Sequence, residues 1–197
     1  MKIRIFEVIL ALILISLLIM GAMAEKDSEG LRNTVLRVHV IANSDSEADQ
    51  AEKLRVRDAV LSQAELITKC AENSAQAEEM LAGRLEELKA AAMTQTKLPV
   101  TVTLGEYEFP TKQYDDFKLP AGSYRALRVV IGEGEGANWW CVLFPPLCVQ
   151  SASATVDWAE ASRLFSEGQA RLITDESGGW ALRFKAAELW GRLANMF

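Results

Sequence analysis

His39 is the single histidine of this chain, so any serine or cysteine nucleophile working through a neutral base would have to use it. The hydroxyl and carboxyl groups that follow it most closely are Ser44, Asp45 and Ser46. A site just past the end of a strand is reasonable geometry for a hydrolase built on His39. No G-x-S-x-G surrounds those serines, however. Strand termination and helix capping fully account for Asn43-Ser44-Asp45-Ser46. A packing role for His39 fits its surroundings better, and the hydrolase is kept as the alternative.

Metal chemistry finds less. One histidine and cysteines spaced as Cys141 and Cys148 do not match zinc-ligand spacings. Asp45, Glu47 and Asp49 resemble the start of a calcium loop, but Gln50 and Val56 stand where such a loop needs glycine and a bidentate glutamate. No metal or other cofactor is expected. Gly132-Glu133-Gly134-Glu135-Gly136 follows a strand, as a phosphate loop would. The next element reads as another strand, so no helix N-terminus meets a phosphate there, and the two glutamates would repel one. A turn that uses glycine for positive φ is the simpler reading.

Trp139 and Trp140 are more informative. Adjacent residues of a strand point to opposite faces, so one indole enters the core while the other faces solvent or lies under the C-terminal segment. An outward tryptophan beside Phe144-Pro145-Pro146-Leu147 is a good binding anchor. Three cysteines, Cys70, Cys141 and Cys148, leave at least one thiol outside any intramolecular pair. Cys141 and Cys148 bracket the two prolines and either close a disulfide loop or stay as two buried thiols.

The elements that position these residues follow from periodicity. Thr34 to Ala42 is β-branched and alternating, a strand buried on at least one face. Ser46 with Asp49 resembles a capping box for a helix from Glu47 to Cys70, with a stripe of Val56, Val60, Ala64 and Ile67 widened by Leu54 and Leu61. A second helix runs from Asn73-Ser74 to about Thr94 on Leu81, Leu85, Leu88 and Ala92. Strands follow at Val100–Tyr107, Tyr124–Ile131 and Asn138–Phe144, separated by a polar and aromatic loop from Phe109 to Leu119 and by the glycine-rich turn. The last two strands pair most simply as a hairpin. The order β-α-α-β-β-β predicts an α+β fold, a mostly antiparallel sheet with two helices on one face. Beyond it, residues 151–197 form an extension: a short helix over Val156–Phe165, a hairpin from Ala170–Thr174 and Trp180–Phe184, and a terminal amphipathic helix over Lys185–Phe197.

The N-terminus places this domain. Lys2 and Arg4 precede the apolar run Val8–Met20, and Ala22-Met23-Ala24 offers an A-x-A cleavage site. Residues 1–24 therefore read as a signal peptide or an uncleaved N-terminal anchor, 25–33 as a polar linker and 34–150 as the folded domain. Either reading takes the body out of the cytoplasm, where disulfides are permitted. The net charge of −6 argues against nucleic acid, which needs clustered Lys and Arg.

Two long blocks carry a resemblance. Leu36-Arg37-Val38-His39-Val40-Ile41-Ala42-Asn43-Ser44-Asp45-Ser46, with Asp49-Gln50 and Lys53 to Leu61, looks like the opening block of the stage II sporulation protein R family. Tyr124 to Gly132 and Asn138 to Cys148 look like its second block, and Arg183-Phe184-Lys185 is similar to its short basic finish. The resemblance covers residues 34 to 149 well and carries nothing onto 151–179. It implies a protein made in the forespore, exported across the forespore membrane, that triggers a membrane-embedded aspartic protease of the mother cell to remove the pro-sequence of sigma-E. It implies no catalytic residue. The expected contact surface is Trp139, Trp140, Phe144 and Leu147, with His39, Asn43 and Asp45 as a second patch.

Overall fold

Leu36–Ile41 forms β1, a strand whose residues are all buried except the half-buried His39. Burial on both faces is the mark of a strand inside a sheet. The computed structural model describes residues 2–114, 117–147 and 158–174. It places β1 between β5 (Gly122–Ile131) and β6 (Asn138–Phe144), with β2 (Val100–Phe109) beyond β5, in the order β2-β5-β1-β6. β1 runs parallel to β5 and antiparallel to β6, and β2 pairs antiparallel with β5 over ten residue pairs. The sheet is thus mostly antiparallel, and the fold is α+β. The expected hairpin between the last two strands does not form, because β1 inserts between them. β1 needs a backbone partner on each side to satisfy its buried amides and carbonyls. The glycine-rich segment therefore crosses over the end of β1 rather than turning a hairpin.

Three helices cover one face. α2 (Glu47–Thr68) starts at Ser46, whose side chain accepts from the Asp49 amide. Val56, Val60, Leu61, Ala64 and Ile67 are buried as expected, while Leu54 is 40% exposed and lies outside the stripe. The second expected helix is two, α3 (Ser74–Ala82) and α4 (Leu85–Met93), broken at Gly83-Arg84. Arg84 leaves helical geometry at φ −134°, ψ 24°. The stripe survives the break: Leu81, Leu88 and Ala92 are fully buried. Glycine is a poor helix former, which makes Gly83 a natural place for the interruption.

Among the described residues, 32–111 and 121–147 belong to one compact unit, and 2–31, 112–114, 117–120 and 158–174 to another. In the second unit, α1 (Lys2–Thr34, its last residues entering the first unit) is long and apolar enough to cross a bilayer, with a mean hydropathy of 2.7 over its apolar window. The stretch 25–33, expected as a linker, continues this helix. Lys112–Gln113 (β3) and Lys118–Leu119 (β4) make a short ladder inside the expected loop. α5 (Trp158–Leu164) matches the short helix expected there. α6 (Glu167–Thr174) replaces the first arm of the expected hairpin. Ser166 and Gln169 explain why: the Gln169 amide donates to Ser166 Oγ at 3.4 Å and the Ser166 amide to Gln169 Oε1 at 3.0 Å, a reciprocal capping box. α6 also approaches α1 closely, since a Cβ on Gly168 would lie 2.6 Å from the Asp27 carboxyl group. The other hairpin arm, Trp180–Phe184, and the terminal helix over 185–197 lie outside the described residues.

Candidate functional site

The turn after β1 is a hydrogen-bonded knot centred on Asp49. Its carboxylate accepts from Asn43 Nδ2 at 2.8 Å and Ser44 Oγ at 2.5 Å. These two bonds, Ser44 first, hold the Asp49 carboxyl below the usual carboxylate range. Half of the expected capping box is present. Ser46 Oγ caps the helix, but the Asp49 carboxylate turns to Asn43 and Ser44, and the Ser46 amide donates to Ser44 Oγ instead.

The same turn is stitched to the segment 132–137. Asn43 Oδ1 accepts from the Glu133 amide at 3.0 Å and Asp45 Oδ1 from the Ala137 amide at 2.7 Å. The backbone amides of Glu135 and Gly136 reach the carbonyls of Asn43 and Ala42. Lys53, almost fully covered, donates to Gln50 Oε1 at 2.6 Å and to the Ala137 carbonyl at 3.0 Å. Burial lowers its pKa, against the pull of Asp45. Gly132 sits at φ +57°, and a Cβ there would lie 2.1 Å from Asn43 Oδ1. A Cβ on Gly136 would lie 2.3 Å from the Ser44 carbonyl oxygen. The glycines therefore serve close approach between two chain segments. Asn43 and Asp45, expected in a contact patch, spend their side-chain oxygens on this joint.

Above the joint, side chains alternate across the strands. Trp139 faces the helices, its ring 4.9 Å from the Arg57 guanidinium of α2. Trp140 faces the other way and pairs in register with His39, their rings 5.7 Å apart. Both tryptophans are half-buried, so each face holds one. His39 pairs with Arg128 on its other side, and Arg128 with Thr103, so Thr103, Arg128, His39 and Trp140 form one row across four strands. His39 Nε2 lies 2.7 Å from Asn138 Oδ1. Burial, with smaller contributions from Arg128 and Arg37, pushes the imidazole below its ordinary pKa, against the opposing hydrogen bond to Asn138. The residues that follow His39 in sequence do not join it: Ser44 is bound to Asp49 and Asp45 to Ala137.

At the end of β6, a cis peptide joins Phe144 to Pro145, and the Leu147 amide donates to the Pro145 carbonyl at 2.7 Å. The chain turns at the two prolines, and Phe144 and Leu147 are half-buried there. Cys141 is buried and disulfide-bonded, and Cys70 is a free, exposed thiol. Cys148 lies outside the described residues.

Sequence reasoning passed over several residues on the sheet face that His39 shares. Arg37 is fully buried with its guanidinium 3.9 Å from the Phe109 ring centre and 4.7 Å from that of Tyr124. Arg128 lies 5.2 Å above the ring of Tyr107, whose hydroxyl is 2.8 Å from Thr103 Oγ1. The signal was the alternation Arg37-x-His39 beside Arg128, which puts three basic side chains on one sheet face. Among the described residues, no group of three or more His, Cys, Asp and Glu side chains could hold a metal ion.

The stage II sporulation protein R family model matches residues 32–154. A stage II sporulation protein R of Bacillus subtilis (strain 168) is 39% identical over 118 residues, covering 57% of this chain and 53% of the relative. The match thus spans about half the length of that relative. No solved structure matches the chain.

Proposed function

Because this chain belongs to the stage II sporulation protein R family, we propose that it is an exported signalling ligand of sporulation. In this reading it leaves the forespore through its N-terminal helix and binds a membrane-embedded aspartic protease of the mother cell. Binding shifts that protease to its active state, and pro-sigma E is processed. A ligand can drive such a shift only through tighter binding to the active state, which requires a specific surface and no covalent chemistry.

The observation that carries the proposal is the coupling of the turn after β1 to the segment that leads into β6, both within the residues that the family model matches. The Asn43–Asp49 turn and the 132–137 segment lock together, and the lock holds the Trp139-Trp140 strand in place. The surface offered to the partner is then Trp140 with His39, flanked by Phe144 and Leu147, while Trp139 lies on the helix side against Arg57. The hydrolase alternative gains no support from the geometry, since His39 meets a carboxamide and two guanidinium groups where a catalytic base needs a nucleophile and an orienting carboxylate.

Reconstitution tests this reading. The chain, the protease and pro-sigma E are co-expressed in a non-sporulating host. Processing that depends on the chain supports a signalling ligand. Processing that never depends on it rejects that function.

A further inference from the structure

The sheet face opposite the helices has a one-sided charge pattern. Its residues are Thr101, Thr103, Gly105, Tyr107 and Phe109 of β2, then Gly122, Tyr124, Ala126, Arg128 and Val130 of β5. Arg37, His39 and Ile41 of β1 and Asn138, Trp140 and Val142 of β6 complete it. Every ionisable group there except the phenols is basic, although the chain as a whole carries −6. The acids of β2, Glu106 and Glu108, point to the other face.

Four arginines elsewhere in this unit have acids. Arg125 pairs with Glu78, Arg57 with Asp58, Arg55 with Glu52 and Arg84 with Glu87. Arg128 pairs with none among the described residues, and its Nε finds no hydrogen-bond partner there. It is nonetheless held in place. Gly105 leaves room for Tyr107 to fold back over the strand, where an added Cβ would touch the phenol at 3.4 Å. The phenol is anchored on Thr103, and its ring lies under the guanidinium. Arg37 is buried, so the surface cation of this face is Arg128, next to His39 and in the same cross-strand row as Trp140, with His39 between them.

We infer that Arg128 receives a carboxylate from an acidic segment of the partner protein, while Trp140 and His39 take an adjoining apolar side chain. A guanidinium fixed over an aromatic ring loses little further freedom when its planar fork meets a carboxylate. A membrane headgroup is a poorer fit, because recognition of anionic lipid uses clusters of four to eight Lys and Arg, and this face has one surface guanidinium.

The inference rests on the signalling-ligand reading, and the experiment separates the two. The full chain and the protease are solubilised together, and binding is measured against salt for the wild type, Arg128→Gln, Arg128→Lys and the helix-side control Arg125→Gln. Each acid on the exported side of the protease is also changed to its amide. Arg128→Gln should weaken binding roughly tenfold or more and flatten its salt dependence. Arg128→Lys should keep the salt dependence with weaker binding, and Arg125→Gln should bind as the wild type. One partner acid should lose its effect in the Arg128→Gln background. Folding of each variant is read from its thermal midpoint, and Arg128→Lys carries the test if Arg128→Gln unfolds. Wild-type binding that tolerates both Arg128 changes overturns carboxylate recognition and leaves the signalling reading standing. Additive effects at every partner acid overturn it too, as does Arg128-dependent binding to phosphatidylglycerol vesicles with partner binding unchanged. A wild-type chain that does not bind the protease overturns both readings.

Discussion

The imidazole of His39 and the indole of Trp140 lie 5.7 Å apart on neighbouring strands, on the sheet face opposite the helices. Trp139, one residue away, faces the helices and meets Arg57. The pair separates a surface role from a packing role within one dipeptide. Trp140→Ala should reduce processing in the reconstituted host by tenfold or more, the range of a binding hot spot losing about 2 kcal/mol. The domain should still fold. Trp139→Ala should act mainly through stability, costing about 1–2 kcal/mol for a half-buried indole. Processing assays paired with thermal melts of both variants check this, and equal loss of processing at equal stability would contradict it.

His39 should make folding stability depend on pH. Burial keeps its folded pKa below the ordinary value of about 6.5. Between the folded pKa and 6.5, the unfolded chain binds a proton that the folded chain refuses, so stability rises with pH across that window. It is fully present above about 6.5 and falls as pH drops toward the folded value. Urea unfolding at pH 7.5 and 5.5 should show lower stability at 5.5, and His39→Asn should narrow the difference.

The joint between the two blocks depends on Gly132. Alanine there would carry φ +57° and a Cβ 2.1 Å from Asn43 Oδ1. Gly132→Ala should destabilise by about 1–3 kcal/mol. Asn43→Ala removes the oxygen in the way, so the double variant should lose less than the sum of the singles. Urea midpoints of the three variants measure the coupling, and simple additivity would mean that the two sites do not share the joint.

Cys141 is disulfide-bonded, and Cys148 is its proposed partner. Non-reducing peptide mapping of the exported chain should recover a Cys141–Cys148 linkage with Cys70 alkylated. Replacing both by serine should cost about 2–3 kcal/mol on the chain-entropy account. A linkage through Cys70 would contradict the assignment.

Periodicity made much of the fold legible. The stripes of α2 and of the α3–α4 pair, the four long strands and the opposed tryptophans all follow from residue spacing. Strand order was not legible, because pairing is decided between distant segments. The continuous burial of β1 was the clue that it lies inside the sheet. The break at Gly83 was hidden because Leu81, Leu85 and Leu88 keep a helical rhythm across it. Ser166-x-x-Gln169 was a readable helix start, overlooked in favour of the β-branched residues of Ala170–Thr174. At the site, Asn43 and Asp45 looked available because the sequence does not show the amides of Glu133 and Ala137 that occupy them. Arg128 was overlooked because its isolation becomes visible only when the four strands are laid side by side.

The most direct test is a photo-crosslinking residue at exposed Thr101, on the same sheet face as Trp140, with a second at exposed Glu65 of α2 as control. The chain is produced with the protease and pro-sigma E, and both variants are first shown to support processing. The account predicts an adduct with the protease from position 101 and none from position 65. Full processing with no protease adduct from position 101 would contradict it.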